Sequence, residues 1–277
     1  MTDQPIERTA ALSSVRRRRI VEILRAETAI TVARVQQDFD VSAMTARRDL
    51  AELERQGLAR RTHGGAVLPA ITSHEDSFAS RLARGTGGKT TLGQAAADLV
   101  APGESVFLDS SSTAYHVARS LLDRGIALTL ITNSQPIMEL VTLHHDRSVE
   151  LIGIGGSMRR LTRSFVGPLA TNAIDSYYAD RLFFSVKGLS ESGVITDADP
   201  LEAEVKRSMI EHAETVTLLV DRSKLGLRGL AVIDQLRKLD LILASGFTTE
   251  ELDALSAHGV DLRAIAEDDP TDEEAAA

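Results

Sequence analysis

The stretch V-S-A-M-T-A-R-R-D-L, from Val41 to Leu50, restricts the possible folds of this chain more than any other feature. Ser42 is a favourable helix N-cap, because its hydroxyl can accept a hydrogen bond from an amide of the first turn that follows. Ala46, Leu50 and Leu53 then recur at helical spacing and form one apolar stripe. The pattern predicts a short, capped helix with an apolar back and a polar, basic front.

The segments on either side of this helix predict a complete DNA-binding module. Upstream, V-A-R-V-Q-Q-D-F has helical spacing behind the cap residue Thr31, and the next two residues make the turn of a helix-turn-helix. Downstream, L-A-R-R-T-H-G-G-A-V-L places two extended runs around Gly64-Gly65, which is typical of a hairpin and here predicts a basic wing. A structural three-helix module with solvated arginines is the alternative. The residues predicted to contact DNA are Thr31, Ser42, Met44, Thr45, Arg47, Arg48, Arg60, Arg61 and His63.

The distribution of charge along the chain favours the DNA-binding interpretation. The formal net charge is −9, but residues 1–65 hold 12 Lys+Arg against 9 Asp+Glu, whereas residues 66–277 hold 19 against 31. Positive charge is thus concentrated in the module that would meet phosphate. Four arginines at 16–19 lie on a predicted first helix from about Ser14 to Ala26 and are expected to point outward. Residues 1–12 are expected to form a loose arm.

Composition excludes several other classes of protein. The chain contains no cysteine, so it has neither disulfides nor thiolate metal ligands. No apolar run approaches the ~18 residues of a membrane helix, and the basic N-terminal stretch precedes no apolar signal sequence. We therefore expect a cytoplasmic protein without a membrane segment, a cofactor or a metal site.

From Pro102 onward, near-continuous apolar runs alternate with stretches of helical spacing. This alternation predicts a doubly wound, Rossmann-like α/β domain with a parallel sheet, preceded by a helix from about Phe78 to Val100. The predicted strands are Ser105–Asp109, Ala127–Thr132, Val149–Ile154, Leu182–Val186, Thr215–Asp221, Leu239–Ala244 and Leu262–Ile265, and the predicted helices are 114–124, 135–144, 168–178, 201–213 and 248–257. The predicted organisation is a DNA-binding domain at 13–68, a linker at 69–77, an α/β domain at 78–266 and a disordered acidic tail at 267–277.

Ligands of such sheets bind beyond the carboxyl ends of the strands, and several polar residues fall there. The first strand ends at Asp109 and leads into S-S-S-T at a helix N-terminus, an arrangement that binds phosphate, although ordinary Ser/Thr capping gives the same pattern. Glu202 and Lys206 share one helix face beyond a later strand. The residues predicted to bind an effector are Asp109, Ser110, Ser111, Ser112, Thr113, Asn133, Gly155, Gly156, Lys187, Glu202, Lys206 and Lys224.

The run G-T-G-G-K-T-T at residues 85–91 imitates a phosphate-binding P-loop. The P-loop motif requires a glycine five residues before Gly88, and Ala83 stands there. No hydrophobic strand precedes the run either. We therefore predict a helix start or a loop, and no nucleotide site.

The run from Arg17 to Leu68 resembles the DNA-binding domain of the DeoR-type family of bacterial transcriptional regulators. The resemblance rests on F-D-V-S-A-M-T-A-R-R-D-L, L-E-R-Q-G and R-R-T-H-G-G-A. The second domain is similar to the family's effector domain, of the ribose-5-phosphate isomerase and CoA-transferase type, through L-D-S-S-S-T, T-N-S, S-F-V-G-P, L-E-A-E-V-K-R-S-M and D-R-S-K. It differs from the family at Ser111, where glycine is common, and at Lys187, where small residues are commoner.

The resemblance implies a transcriptional regulator, most simply a repressor of carbohydrate metabolism genes, that binds double-stranded operator DNA and is released by a phosphorylated sugar or sugar derivative. It also implies that the serine-rich loop binds the effector phosphate. Because one recognition helix reads only a few base pairs, we expect a homo-oligomer, a dimer or a tetramer. The sequence leaves open whether the regulator is an activator and not a repressor.

The alternative of another class is a sugar-phosphate isomerase-like enzyme with a fused DNA-binding module, which would need a carboxylate base. The candidates for that base are Asp180, Asp197, Asp199 and Glu202.

Overall fold

The computed structural model describes residues 4–27, 29–55, 59–62, 64–67, 76–145 and 148–266. The chain divides into two compact units, Met1–Thr72 and Ser73–Ala277. Most of the predicted linker and the whole of the predicted acidic tail lie outside the described residues. Among the described residues, no helix combines the length and the apolar character needed to cross a membrane.

The first unit is built from three helices and a small antiparallel sheet. Its elements are α1 (Gln4–Glu27), β1 (Ala29–Thr31), α2 (Val32–Phe39), α3 (Ala43–Arg55), β2 (Arg60–Thr62) and β3 (Gly65–Val67). The apolar stripe predicted for α3 is fully buried and packs with Ile20, Leu24 and Val35. This burial fixes which face of α3 remains exposed.

Local chemistry sets the bounds of α2 and α3 as predicted. The amide of Arg34 donates to the Thr31 hydroxyl at 3.1 Å, and the amide of Thr45 donates to the Ser42 hydroxyl at 3.2 Å. Between the two helices, Asp40 adopts a left-handed conformation with φ 48°, which reverses the chain direction in a single residue. The predicted helix-turn-helix is therefore confirmed.

The prediction for the first helix was wrong in two respects. It begins at Gln4, so residues 4–12 are helical and do not form a loose arm. Its arginines do not all point outward: Arg16 Nε lies 2.6 Å and Arg17 Nη1 3.7 Å from the buried carboxylate of Asp49 on α3. A buried carboxylate requires such partners, and two of the four arginines therefore join α1 to the recognition helix.

The wing forms as predicted and gains a third strand that the sequence did not indicate. Strand β3 pairs antiparallel with β2, as expected, and also with β1, giving the order β1-β3-β2. Gly65 is opposite Thr31 in this sheet, and a Cβ at Gly65 would collide with the Ile30 carbonyl oxygen. Only glycine therefore permits the close approach that attaches the wing to the start of α2.

All seven strands predicted for the α/β domain are present, in one parallel sheet. The strands are β4 (Ser105–Leu108), β5 (Leu128–Thr132), β6 (Val149–Gly153), β9 (Ala179–Phe184), β12 (Ala213–Asp221), β14 (Leu241–Ser245) and β15 (Asp261–Ile265). Their order across the sheet is β15-β14-β12-β9-β4-β5-β6. Phe183 and Phe184 are consecutive on β9 and pack into the two separate cores on opposite faces, as the period of a strand requires. The helices on its faces are α5 (Thr86–Asp98), α6 (Ser112–Arg124), α7 (Gln135–Leu143), α8 (Pro168–Ile174), α9 (Pro200–Glu211) and α10 (Thr249–Ser256).

Two parts of this domain differ from the prediction. The single helix expected over 78–100 is broken, because Gly85 takes a left-handed conformation between α4 (Phe78–Leu82) and α5. The G-T-G-G-K-T-T run thus forms a helix start, as predicted. Two small antiparallel sheets were not predicted: β7 (Ser157–Arg159) with β8 (Ser164–Val166), and β10 (Gly188–Leu189) with β11 (Val194–Asp197) and β13 (Ala231–Gln235).

Candidate functional site

A polar cavity lies in the α/β domain where β4, β9 and β12 reach their carboxyl ends. Its volume is about 60 Å³. At ~10–15 Å³ for each water molecule, this space has room for about four to six waters, which is enough for a phosphate group. The residues lining it are Asp76, Arg81, Ser111, Ser112, Thr113, Ser185, Val186, Lys187, Asp197, Ala198, Lys206 and Lys224. We call it the strand-end cavity.

The N-terminus of α6 forms one wall of the strand-end cavity. Ser111 is the N-cap of this helix, and its hydroxyl accepts a hydrogen bond from the amide of Ala114 at 3.0 Å. Ser112 and Thr113 open the helix and are buried. The first amides of a helix have no partner within the helix, and the helix dipole makes this end electropositive. The serine-rich turn therefore supplies both a cap and donors directed toward an anion.

Arg81 lies on a second wall and is not satisfied by the protein. Its Nε and Nη2 atoms are buried without a hydrogen-bond partner among the described residues, while the guanidinium carbon lies 6.0 Å from the centre of the Phe78 ring. Unsatisfied donors on a buried cation carry a large desolvation cost. A guanidinium in this position is prepared to receive an anion of planar or tetrahedral oxygens.

Lys187 and Lys224 add two further cations, and one acid partly balances them. Lys187 Nζ lies 3.9 Å from the carboxylate of Asp76, which also accepts a hydrogen bond from Arg84 Nη1 at 3.1 Å. Burial lowers the pKa of Lys187, and the attraction of Asp76 only partly opposes that decrease. The positive charge on this wall is therefore only partly compensated.

Lys206, by contrast, is already neutralised within the protein. Its ammonium group contacts the buried carboxylate of Asp109 and lies 3.4 Å from that of Asp197. Burial alone would lower the pKa of Lys206, but Asp109, Asp197 and Glu202 together raise it above its usual value. The amides of Ser111 and Ser185 donate to Asp109 at 3.1 and 3.3 Å, so this ion pair joins α9 to the ends of β4 and β9.

Glu202 lies behind the serine-rich turn and is fully engaged. Its carboxylate accepts hydrogen bonds from Ser110 Oγ at 3.0 Å, from Arg159 Nη1 at 2.8 Å and from Ser164 Oγ. Burial would raise the pKa of Glu202, but Lys206, Ser164 and Arg159 outweigh this effect and lower it. Glu202 therefore holds the β7–β8 hairpin against the turn.

The structure brings together some of the predicted effector residues and leaves others apart. Ser111, Ser112, Thr113, Lys187, Lys206 and Lys224 line the strand-end cavity, and Asp109, Ser110 and Glu202 contact those residues from behind. Asn133, Gly155 and Gly156 are not among the residues that line it. Asn133 donates instead to the Phe165 carbonyl at 2.9 Å, and a Cβ at Gly156 would contact the Val166 carbonyl oxygen. These residues attach the β7–β8 hairpin to the sheet.

Sequence reasoning missed Asp76 and Arg81. They belong to the segment before the sheet, outside any strand end, and no periodicity marks them. Ser185 and Asp197 lie closer to the strand ends, which are the positions on which the sequence prediction relied. Ser185 directly follows β9, and Asp197 ends β11 just before helix α9.

His116, on α6, is buried beside the strand-end cavity and stays neutral at physiological pH. Burial and the nearby charge of Lys89 lower its pKa to about 4, from 6.5. A lowered pKa means that its contribution to stability is complete above pH 6.5 and is lost as the pH falls from 6.5 to 4. We expect unfolding of the α/β domain to become easier by roughly 1–2 kcal/mol over this range, allowing for solvent screening.

Urea denaturation at pH 7 and at pH 4.5 measures this effect, with His116→Gln as the test variant and His145→Gln as the control. His116→Gln should flatten the pH dependence, whereas replacement of the exposed His145 should not. An unchanged pH slope in His116→Gln would contradict the assignment.

The exposed face of α3 carries the residues predicted to contact DNA. Met44 is 76% exposed, and Arg47 and Arg48 are exposed beside it. Thr45 Oγ1 lies 3.0 Å from Ser42 Oγ at the start of the helix. On the wing, Arg61 is exposed and its amide donates to Glu54 at 2.9 Å. His63 and the side chain of Arg60 lie outside the described residues.

The four carboxylates proposed as a catalytic base are all engaged in structural contacts. Asp180 is the second residue of β9, at the opposite end of the sheet, and accepts hydrogen bonds from the Ser105 amide at 2.7 Å and hydroxyl at 2.6 Å. Asp199 is the N-cap of α9 and lies 3.1 Å from Arg159, while Asp197 and Glu202 are paired as described above. This arrangement disfavours the isomerase-like alternative.

A winged helix-turn-helix and a parallel α/β domain with a polar cavity at its strand ends define a DNA-binding transcriptional regulator with a ligand-sensing domain. Residues 16–72 match the model of the DeoR-like helix-turn-helix domain, and residues 85–245 match that of the DeoR C terminal sensor domain. The chain belongs to the DeoR family. The first domain implies DNA as a partner, and the second implies a small-molecule effector.

Individual relatives agree with this family. The transcriptional repressor AccR of Agrobacterium fabrum is 34% identical over 84% of this chain and 90% of its own length. The putative aga operon transcriptional repressor of Escherichia coli O157:H7 is 33% identical over 96% and 99%. Among solved structures, ribose 5-phosphate isomerase A from Methanocaldococcus jannaschii matches 50% of this chain and 53% of its own, with a TM-score of 0.37 and 19% identity. The relatives are regulators, which favours the regulator over the enzyme.

Proposed function

We propose that this protein is a repressor of carbohydrate metabolism genes that leaves its operator when a phosphorylated sugar or sugar derivative occupies the strand-end cavity. The relatives named as repressors, one of them of the aga operon, support the direction of control and the carbohydrate link. Effector binding weakens DNA binding only if the effector prefers the DNA-free conformation. The phosphorylated nature of the effector is the part that the cavity itself supports.

The observation that carries the proposal is that two nitrogens of Arg81, Nε and Nη2, are buried without a partner among the described residues, in a cavity that the N-terminus of α6 also lines. A phosphate dianion would accept hydrogen bonds from Arg81 and from the first amides of α6, and each donor set would thereby gain the partner it lacks. A neutral sugar would satisfy the amides less well and would leave the cation unpaired. The cavity therefore favours an anionic group over a hydroxyl.

Charge and size support the same ligand. Apart from Lys206 and Asp197, which are paired with each other, three basic side chains and one acidic side chain line the cavity, so its field favours an anion. Its volume of about 60 Å³ accepts the phosphate, and the remainder of the sugar would extend outward past Lys187 and Lys224. In this proposal Asp109 and Glu202 position the serine-rich turn, and Lys206 holds Asp109 in place. Contacts of Asn133, Gly155 and Gly156 with the sugar are proposed only for parts beyond the phosphate.

The experiment that tests the proposal is calorimetry of the full-length protein with ribose 5-phosphate, glucose 6-phosphate and inorganic phosphate. Arg81→Gln should weaken phosphate binding by roughly tenfold to 150-fold, since a hydrogen bond to a charged group contributes roughly 1.5–3 kcal/mol. Arg237→Gln, an exposed arginine outside the cavity, is the control and should bind as the wild type does. Equal phosphate affinity of the two variants would show that the anion binds outside the strand-end cavity.

Two further measurements separate the remaining alternatives. Conversion of a sugar phosphate by the protein would favour an enzyme, whereas release of DNA without turnover favours a sensor. We also propose a homo-oligomer, because specificity needs two recognition helices on repeated half-sites. Light scattering that gave a monomer at micromolar concentration, with and without DNA, would contradict that part.

A further inference from the structure

Residues 76–82, which we call the lead-in segment, contribute opposite charges to the strand-end cavity. Arg81 presents buried donors without partners, whereas Asp76 places a carboxylate 3.9 Å from Lys187 Nζ. The same carboxylate accepts a hydrogen bond from Arg84 Nη1 at 3.1 Å. The lead-in segment thus supplies a cation without a bound anion, Arg81, and also an anion, Asp76, that lies close to a second cation, Lys187.

The lead-in segment is anchored in the α/β domain immediately after Asp76. The hydroxyl of Ser77 caps α4 by accepting from the Ser80 amide at 3.2 Å, and the Phe78 amide donates to the Leu161 carbonyl at 2.9 Å. Only residues 73–75 separate Asp76 from the end of the first unit at Thr72. Asp76 is therefore the first residue after the DNA-binding unit that the structure describes, and the residues directly after it are anchored in the α/β domain.

We propose that Asp76 is an internal competitor for the anionic group of the effector. The inference rests on the proposed anion site and adds a role for a residue outside the serine-rich turn. Without effector, the Asp76 carboxylate lies beside Lys187. An anion that binds Arg81 and Lys187 meets this carboxylate at close range, and like charges in a partly buried site repel strongly. Anion binding therefore displaces Asp76.

Displacement of Asp76 changes the attachments of the lead-in segment at its start, where the chain arrives from the DNA-binding unit. The ion pair of Asp76 with Lys187 thus distinguishes the empty from the occupied cavity. Since coupling is reciprocal, any state of the protein that strengthens this pair weakens effector binding by the same factor. Asp76 would in this way set both the affinity for the effector and the response to it.

The first test is the affinity of the full-length protein for inorganic phosphate, measured by calorimetry at low ionic strength. Asp76→Asn removes the competing charge and should lower the dissociation constant for phosphate about tenfold, within the usual range of coupling between sites. Asp76→Glu retains the charge and should stay near the wild type. Asp253→Asn removes an exposed acid from α10, outside the cavity, and should also leave the affinity unchanged. Asp76→Ser repeats the test if Asp76→Asn melts below the wild type.

The second test measures coupling to DNA, with a duplex selected by the wild-type protein from a random-sequence library. Phosphate should weaken DNA binding by the wild type, whereas Asp76→Asn should bind phosphate more tightly and yet show a smaller effect on DNA. Unchanged phosphate affinity in Asp76→Asn, or coupling equal to that of the wild type, would overturn the inference. If the wild type binds neither phosphate nor sugar phosphates, the proposed anion site itself fails, and the two failures are thereby distinguished.

Discussion

Lys206→Met is expected to destabilise the α/β domain by about 3–5 kcal/mol, the usual cost of removing one member of a buried ion pair. The variant leaves the carboxylates of Asp109 and Asp197 buried without their shared cation. Asp109 also accepts the amides of Ser111 and Ser185, so its rearrangement would disturb the turn at the cavity. Urea denaturation of the full-length protein, followed by circular dichroism, measures the loss.

Two comparisons make this expectation specific. Lys238→Met removes an exposed lysine that lies 3.0 Å from Asp234, and such surface pairs contribute less than about 1 kcal/mol. Asp109→Asn combined with Lys206→Met removes both charges and should lose less stability than the sum of the single changes. A Lys206→Met protein as stable as Lys238→Met would show that the buried pair does not support the domain.

Arg48→Ala is expected to reduce affinity for the selected operator by about tenfold to a hundredfold, since one good bidentate base contact contributes roughly 1–3 kcal/mol of discrimination. Arg48 is exposed on α3 opposite the buried stripe, so the fold should be retained. Its affinity for a scrambled duplex should fall much less than its affinity for the operator. Gel-shift titrations on both duplexes give the ratio.

Arg19→Ala is the matched control for Arg48→Ala, because it removes the same charge from the same unit at an exposed site on α1. We expect it to change binding to both duplexes by about twofold or less, and equally. If Arg48→Ala behaved like Arg19→Ala, the face of α3 assigned to the DNA would be wrong, although the helix-turn-helix itself would stand.

The fold was predictable where local chemistry and burial pointed the same way. Ser42 caps α3, as expected of a hydroxyl just before a helix, and Ala46 is buried, as expected of an apolar residue in the stripe of that helix. The strands of the parallel sheet were predictable because both faces are covered, which demands near-continuous apolar sequence. Strand β1 was missed, since three residues that pair only with the wing carry too little periodicity to register.

The site was predictable only in part, because charge pairing is not visible along a sequence. The serine-rich turn marks itself by its position after a strand. The partner of Lys206, however, lies 97 residues away at Asp109, and the partners of Asp49 lie on another helix. Arg81 gave no signal either, since an arginine near a linker is usually solvated. Three-dimensional contacts decide which cations are paired within the protein and which one can pair with an added anion.

The position of these contacts along the chain has a consequence for synthesis. The first unit ends at Thr72, so its contacts span shorter sequence separations than those that form the cavity, which favours early folding. The strand-end cavity needs residues from Asp76 to Lys224, and its central ion pair spans the interval from β4 to α9. A nascent chain can therefore possess a finished DNA-binding unit while its cavity does not yet exist. We therefore expect a chain shortened before Lys224 to retain the helix-turn-helix and to lack the cavity that is proposed to bind the effector.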